Sequence, residues 1–105
     1  MKEIKCFIRP DRLDEVLDAL HAMPDLPGVT CSEVSGFGRV RGTMSGIGSC
    51  AGMAKLEIVV PDAQVEAVKR IVTDHAGTGR AGDGMIYVIP VAEAVRIRNS
   101  ESLAE

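Results

Sequence analysis

The chain has 105 residues, the size of one small domain, and we expect a single domain over residues 1–105. Its net charge of −3 and its 3% aromatic content supply neither the basic surface nor the stacking side chains of a protein that binds nucleic acid. Its longest apolar runs, LEIVVP and MIYVIPV, are far shorter than the roughly 18 residues of a transmembrane helix.

The N-terminal sequence MKEIKCFIRP lacks the apolar stretch of a signal peptide, so we expect a cytoplasmic protein. The three cysteines are odd in number and widely spaced. This pattern excludes a disulfide framework and a CxxC zinc site, and reduced thiols fit best.

The first half of the chain predicts strand, helix, strand. KEIKCFIRP (2–10) alternates apolar and polar residues up to Pro10 and predicts a strand. Asp11 is the expected N-cap of a helix over residues 13–23, where apolar residues recur at helical spacing. GVTCSEVSGFG (28–38) predicts a second strand. On these strands we expect Cys6 and Cys31 to face the core.

The second half repeats this pattern. KLEIVVPD (55–62) predicts a strand, AQVEAVKRIVTDHAG (63–77) a helix and MIYVIPV (85–91) a strand, and Pro61-Asp62 repeats the earlier Pro10-Asp11. The order β-α-β-β-α-β predicts a ferredoxin-like α+β fold, with an antiparallel four-stranded sheet and both helices on one face. A further strand is predicted over residues 95–98. We expect another subunit to cover the free sheet face, because its side chains in EIVV and YVI are apolar.

Two glycine-rich segments are candidate ligand loops. GFGRVRG (36–42) is not a dinucleotide fingerprint, because its third glycine is one position late and no helix follows it. TGRAGDG (78–84) combines glycines, a hydroxyl and Arg80, which suits an anion. The alternative is a turn that begins with a glycine C-cap at Gly77 and needs no ligand.

Four separated segments, SEVSGFGR, KLEIVVPD, TGRAGDG and VAEAVRIR, together resemble the PII signal-transduction family over nearly the whole chain. The resemblance implies a homotrimer of ferredoxin-like subunits that binds adenine nucleotides between subunits. It implies a regulator without enzymatic activity, which controls a target protein, a transporter or an enzyme, through a loop between strands 2 and 3.

The resemblance also assigns site residues. At the base of the loop and in the second glycine segment, the residues expected near the phosphates are Gly36, Phe37, Gly38, Arg39, Thr78, Gly79, Arg80, Gly82, Asp83 and Gly84. Thr30, Glu57 and Val59 are expected to line the adenine pocket. Arg96 and Arg98 are expected to reach in from the neighbouring subunit.

The chain departs from the family in the loop itself. RGTMSGIGSCA (41–51) is short and has no tyrosine, and Val40 stands where the family has a glutamine that takes part in binding Mg²⁺ with 2-oxoglutarate. Met53 and Met85 occupy positions of family lysines. We therefore expect ADP or ATP, with AMP as a further candidate, to bind without Mg²⁺ and 2-oxoglutarate.

The main alternative is a binding module for a small anion or a soft metal. Met44, Cys50 and Met53 carry the thioether and thiolate groups that copper(I) prefers. We favour no metal, because methionine and a lone cysteine more often pack in the interior. The sequence offers no catalytic nucleophile–base pair.

Overall fold

Strands and helices follow one another in the order predicted for a ferredoxin-like fold. The computed structural model describes residues 1–37 and 51–103. Within these ranges the elements are β1 (Lys2–Ile8), α1 (Leu13–His21), β2 (Thr30–Gly36), β3 (Ala51–Val60), α2 (Val65–Ala76) and β4 (Gly84–Pro90).

The four strands form one antiparallel sheet in the order β2-β3-β1-β4. The predicted fold class is thereby confirmed. β3 begins at Ala51 and not at Lys55, because its pairing with β2 continues as far as Gly36 opposite Ala51. Met53 therefore lies in a strand, where we had expected a loop.

The hydrophobic core lies between the sheet and the two helices. Ile4, Cys6 and Ile8 alternate into it from β1, as predicted, and burial raises the pKa of the Cys6 thiol to about 11. Fully burying an aliphatic side chain of this size stabilises the fold by about 1.5–3 kcal/mol. The remaining buried residues are Val16, Leu20, Ala54, Leu56, Ile58, Val60, Val65, Val68, Val72 and Ala76.

Cys31 is exposed, so the prediction that it belongs to the core was wrong. It pairs with Leu56 and so shares the helix-facing side of the sheet, yet it is exposed. The reason is that β2 is an edge strand, whereas the buried sheet residues come from β1 and β3.

The repeated Pro-Asp pairs mark two equivalent entries into the helices. Short 3-10 turns, Pro10–Arg12 and Asp62–Gln64, precede α1 and α2. Asp11 lies inside the first turn and α1 lacks a side-chain N-cap bond, so the predicted capping role was wrong. α1 ends at His21, two residues before the predicted end. Neither described helix is long and apolar enough to cross a membrane.

One link between the helices was missed by the sequence reasoning. His75 Nδ1 of α2 lies 3.0 Å from Glu15 Oε2 of α1. The residues are 60 positions apart in the chain, and only the antiparallel packing of the two halves brings them together.

The side of the sheet away from the helices, called the open face below, is mixed in character. Phe7 and Tyr87 meet edge to face on it, with ring centroids 5.7 Å apart, and Met85 is 59% exposed beside them. Lys55 and Glu57 of β3 also lie on this face and form an ion pair of 3.6 Å. The open face is therefore less uniformly apolar than the sequence suggested.

The predicted strand over residues 95–98 is a turn. Val95 forms an isolated antiparallel bridge with Ser102, and the intervening chain folds back through bonds from Arg96 N to Glu101 O (2.9 Å) and from Ser100 N to Arg96 O (2.8 Å). The segment pairs with itself and not with the sheet. Side-chain alternation of the kind found in a strand therefore does not apply to Arg96 and Arg98.

Gly84 provides a test of the packing at the start of β4. Its φ is 113°, and a Cβ atom there would lie 1.7 Å from the Phe7 carbonyl oxygen. We expect Gly84→Ala to destabilise the fold by about 2–3 kcal/mol or more. Gly36→Ala is the matched control, because a Cβ at Gly36 meets nothing within 4 Å. Urea unfolding of both variants checks this, and equal midpoints would contradict it.

Candidate functional site

The loop between α2 and β4, residues 78–84, is shaped by glycine. Gly79 and Gly82 have φ angles of 78° and 90°, which other residues adopt only at a cost. Gly77 ends α2 in an extended conformation, with φ −75° and ψ 138°, and not in the left-handed form of a glycine C-cap. The positive φ angles therefore lie within the loop itself.

Asp83 organises this loop from within. Its Oδ2 accepts bonds from the backbone N–H of Thr78 (2.7 Å) and of Gly79 (3.0 Å), and its Oδ1 accepts a short bond from Thr78 Oγ1. These bonds favour the charged carboxylate. The Thr78 side chain, the Thr78 backbone and Arg9 hold the pKa of Asp83 well below its usual range, against a smaller opposing effect of desolvation.

Arg9 takes part in the hydrogen bonds of this loop, and the sequence did not predict it. Its Nε donates to Asp83 Oδ1 at 2.9 Å, and its Nη2 donates to the Ala81 carbonyl at 2.7 Å. Arg9 directly follows β1, and the pairing of Ile8 with Gly84 places the end of β1 beside the loop. That pairing cannot be read from local periodicity.

Several donors of the loop remain unpaired. The backbone N–H groups of Ala81 and Gly82 and the guanidinium of Arg80 have no hydrogen-bond partner within residues 1–37 and 51–103. Arg80 is exposed. Two backbone donors and one free guanidinium on a glycine-shaped loop are the groups that an anion requires.

These donors border a cleft of about 780 Å³. Of the predicted phosphate-site residues, the structure brings Gly36, Phe37, Arg80, Gly82, Asp83 and Gly84 to its walls. Thr78 and Gly79 belong to the same loop but do not line the cleft. The predicted residues Gly38 and Arg39 lie outside the described residues. The other lining residues are Phe7, Arg9, Pro10, Asp11, Ala51, Gly52, Met53, Ala81, Met85 and Tyr87.

The predicted adenine residues lie elsewhere. Thr30, Glu57 and Val59 line a second cleft of about 410 Å³, together with Glu3, Pro27, Gly28 and Leu103. Thr30 and Gly36 are the two ends of β2, which at about 3.3–3.4 Å per residue places them about 20 Å apart. Within one chain, the two groups of predicted residues do not converge.

The predicted arginines lie on the C-terminal turn that adjoins the smaller cleft. Arg96 and Arg98 are exposed, and their guanidinium groups have no partner in the described part of the chain. Leu103, which follows the turn, lines the smaller cleft. Arg96 and Arg98 themselves line neither of these two clefts.

Of the three residues predicted for the soft-metal alternative, the structure describes only Met53. Met44 and Cys50, like Val40, lie outside the described residues. Met53 is on β3 and contributes to the wall of the larger cleft, as does Met85. Both methionines are neutral, so Arg9 and Arg80 are the cations among the described lining residues.

The lowered pKa of Asp83 generates a prediction about pH. A carboxylate whose folded pKa lies below the ordinary 3.8 stabilises the fold fully above that value, and this contribution is lost as the pH falls below it. We expect the stability difference between the wild type and Asp83→Asn to be constant from about pH 5 to 8 and to shrink below about pH 3.8. Urea unfolding across this range measures it. A difference that stays constant down to pH 2.5 would contradict the assignment.

The chain is similar to known proteins over nearly its whole length. The family described as Nitrogen regulatory protein P-II matches residues 1–101. A protein of that name from Azospirillum brasilense is 40% identical over 107 residues, covering 96% of this chain and 95% of the relative. The relative from Microchaete diplosiphon is 43% identical over 111 residues, covering 100% and 98%.

Nitrogen regulatory protein P-II 1 of Escherichia coli (strain K12) is likewise 40% identical, over 96% of this chain and 95% of its own length. The family match and the three relatives each extend over nearly the full chain. The chain therefore belongs to the P-II family of nitrogen regulatory proteins.

Proposed function

We propose that the protein is a non-enzymatic P-II regulator that binds an adenine nucleotide between the subunits of a homotrimer and controls a target protein. The observation that carries this proposal is loop 78–84, with its unpaired N–H groups at Ala81 and Gly82 and its free Arg80 guanidinium. Such a loop is suited to phosphate. The names of the relatives support a regulatory role.

The separation of the two clefts supports a site between subunits. The loop cleft carries the anion donors, whereas Thr30 in the smaller cleft lies about 20 Å away along β2 from Gly36 in the loop cleft. A nucleotide that uses both groups must therefore bridge two chains. One chain supplies loop 78–84, and its neighbour supplies Thr30, Glu57, Val59 and the arginines.

The open face supports the contact between subunits. Phe7, Met85 and Tyr87 form an apolar cluster at the end of the sheet that adjoins the loop cleft. Burying such side chains against a second chain is favourable. In a symmetric ring, each cleft of one chain then faces the complementary cleft of the next.

The charges of the larger cleft determine which nucleotide we propose. Arg9 is engaged by Asp83 and Ala81, which leaves Arg80 as the free cation among the described lining residues, beside neutral Met53 and Met85. Each charge-assisted contact to a phosphate oxygen contributes roughly 1.5–3 kcal/mol. A terminal third phosphate gains least here, so ADP, and also AMP, should bind at least as well as ATP.

In this proposal the regulator senses the ADP-to-ATP ratio. The target protein that it controls is a transporter or an enzyme. The contact with that target is assigned to the segment between β2 and β3. We propose no metal at Met44, Cys50 and Met53, because no observation on the described residues favours one.

The bridging arrangement predicts the effect of removing the arginines. Arg96→Ala together with Arg98→Ala should weaken nucleotide binding at least a hundredfold, because each lost contact costs roughly 1.5–3 kcal/mol. Light scattering should give a trimer for both the wild type and the variant. The turn that carries the two arginines is held by its own backbone hydrogen bonds, which the substitutions leave in place. Calorimetry measures the binding. A wild type that is a monomer at micromolar concentration would overturn the proposal, as would unchanged binding by the variant.

The charge count predicts the nucleotide preference. Calorimetry with AMP, ADP and ATP, each with and without Mg²⁺ and 2-oxoglutarate, should give an ADP affinity equal to or above that of ATP. It should also show less than a twofold effect of either addition. A strong preference for ATP with Mg²⁺, enhanced by 2-oxoglutarate, would show that the roles of Val40, Met53 and Met85 had been misjudged.

A further inference from the structure

We propose that Arg9 is a positioning residue for anion binding and that Asp83 acts inside loop 78–84, not as a contact to the ligand. The proposal rests on the proposed function, since the anion is the phosphate of a nucleotide. Arg9 and Asp83 form a brace, defined by the bonds among Arg9, Thr78, Gly79, Ala81 and Asp83, that fixes the loop against the end of β1.

The Asp83 carboxylate has no capacity left for a ligand. Oδ1 accepts from Arg9 Nε and from Thr78 Oγ1, and Oδ2 accepts from the backbone N–H of Thr78 and of Gly79. Two carboxylate oxygens offer about four lone-pair sites, and all four are used. Asp83 can neither ligate a metal ion nor accept a bond from a sugar hydroxyl without losing a bond that holds the loop.

The geometry of Arg9 requires a guanidinium. Nε and Nη2 donate to two different acceptors, Asp83 Oδ1 and the Ala81 carbonyl. The second bond fixes the peptide that joins Ala81 to Gly82, and the N–H of Gly82 in that peptide is one of the unpaired donors. A lysine keeps the charge, but its three N–H donors lie on one nitrogen at the end of a flexible chain, so it lacks the rigid fork that holds both acceptors here.

Arg9 also changes the electrostatics of the cleft. Asp83 is ionised at neutral pH, and it lies in the wall of a cleft that we assign to an anion. An uncompensated carboxylate there would repel phosphate. The guanidinium of Arg9, 2.9 Å from Oδ1, offsets this charge. The brace therefore orders the donors and also offsets the repulsion that Asp83 would exert on phosphate.

The test compares Arg9→Ala and Arg9→Lys with Arg12→Ala in the full chain. Arg12 is the matched control, because it lies near Arg9 and forms only a 3.7 Å pair with Glu15. Calorimetry with ADP should show a loss of about tenfold to hundredfold for Arg9→Ala, a smaller loss for Arg9→Lys and no loss for Arg12→Ala. Adenosine, which lacks phosphate, should bind all four proteins equally.

Hydrogen exchange supplies a readout that needs no ligand. The amides of Thr78 and Gly79 should exchange at least tenfold faster in Arg9→Ala than in Arg12→Ala, because the carboxylate that they contact is no longer held. If the wild type binds no nucleotide, the proposed function fails, and the exchange result alone decides on the brace. Unchanged exchange would overturn the brace.

Two further outcomes would also overturn the proposal. One is ADP binding by Arg9→Ala with the affinity of the wild type. The other is an equal loss of ADP and adenosine binding accompanied by a lower melting temperature, since this would show that Arg9 merely supports the fold.

Discussion

The candidate site depends on the carboxylate of Asp83. It receives two backbone N–H groups, a hydroxyl and a guanidinium, and so closes a loop whose glycines would otherwise allow many conformations. Through Arg9, the same carboxylate joins the end of β1 to the segment before β4, and β1 and β4 pair directly beside it, with Ile8 opposite Gly84. The Asp83 carboxylate takes its hydrogen bonds from Arg9, Thr78 and Gly79. The Arg80 guanidinium and the N–H groups at positions 81 and 82 therefore remain available for an anion.

Local patterns were sufficient for the architecture. Alternation in β1 identified the face that carries the core residues Ile4, Cys6 and Ile8. The repeated Pro-Asp pair showed that each half is a strand followed by a helix. Both patterns involve residues that are close in the chain, so they predict the local structure wherever one face of the element is buried. The glycine spacing of residues 78–84 similarly indicated a loop with positive φ angles, which Gly79, Gly82 and Gly84 adopt.

The errors arose where position in the sheet decides the outcome. Cys31 has the alternation of a core residue, but β2 is an edge strand. The segment after Val95 has the composition of a strand, yet its backbone groups pair within a turn. Arg9 and the Glu15–His75 pair depend on contacts between residues 74 and 60 positions apart. No periodicity within one element contains such information.

The brace also restricts how the sequence can vary. Two of the four donors to Asp83 belong to the backbone, and no substitution of side chains can reverse their polarity. A charge swap between positions 9 and 83 is therefore excluded, since a cation at 83 would face the N–H groups of Thr78 and Gly79. At position 9 a lysine would keep the charge but not the two-acceptor fork of the guanidinium, so the two positions form a coupled pair in which neither changes without a cost.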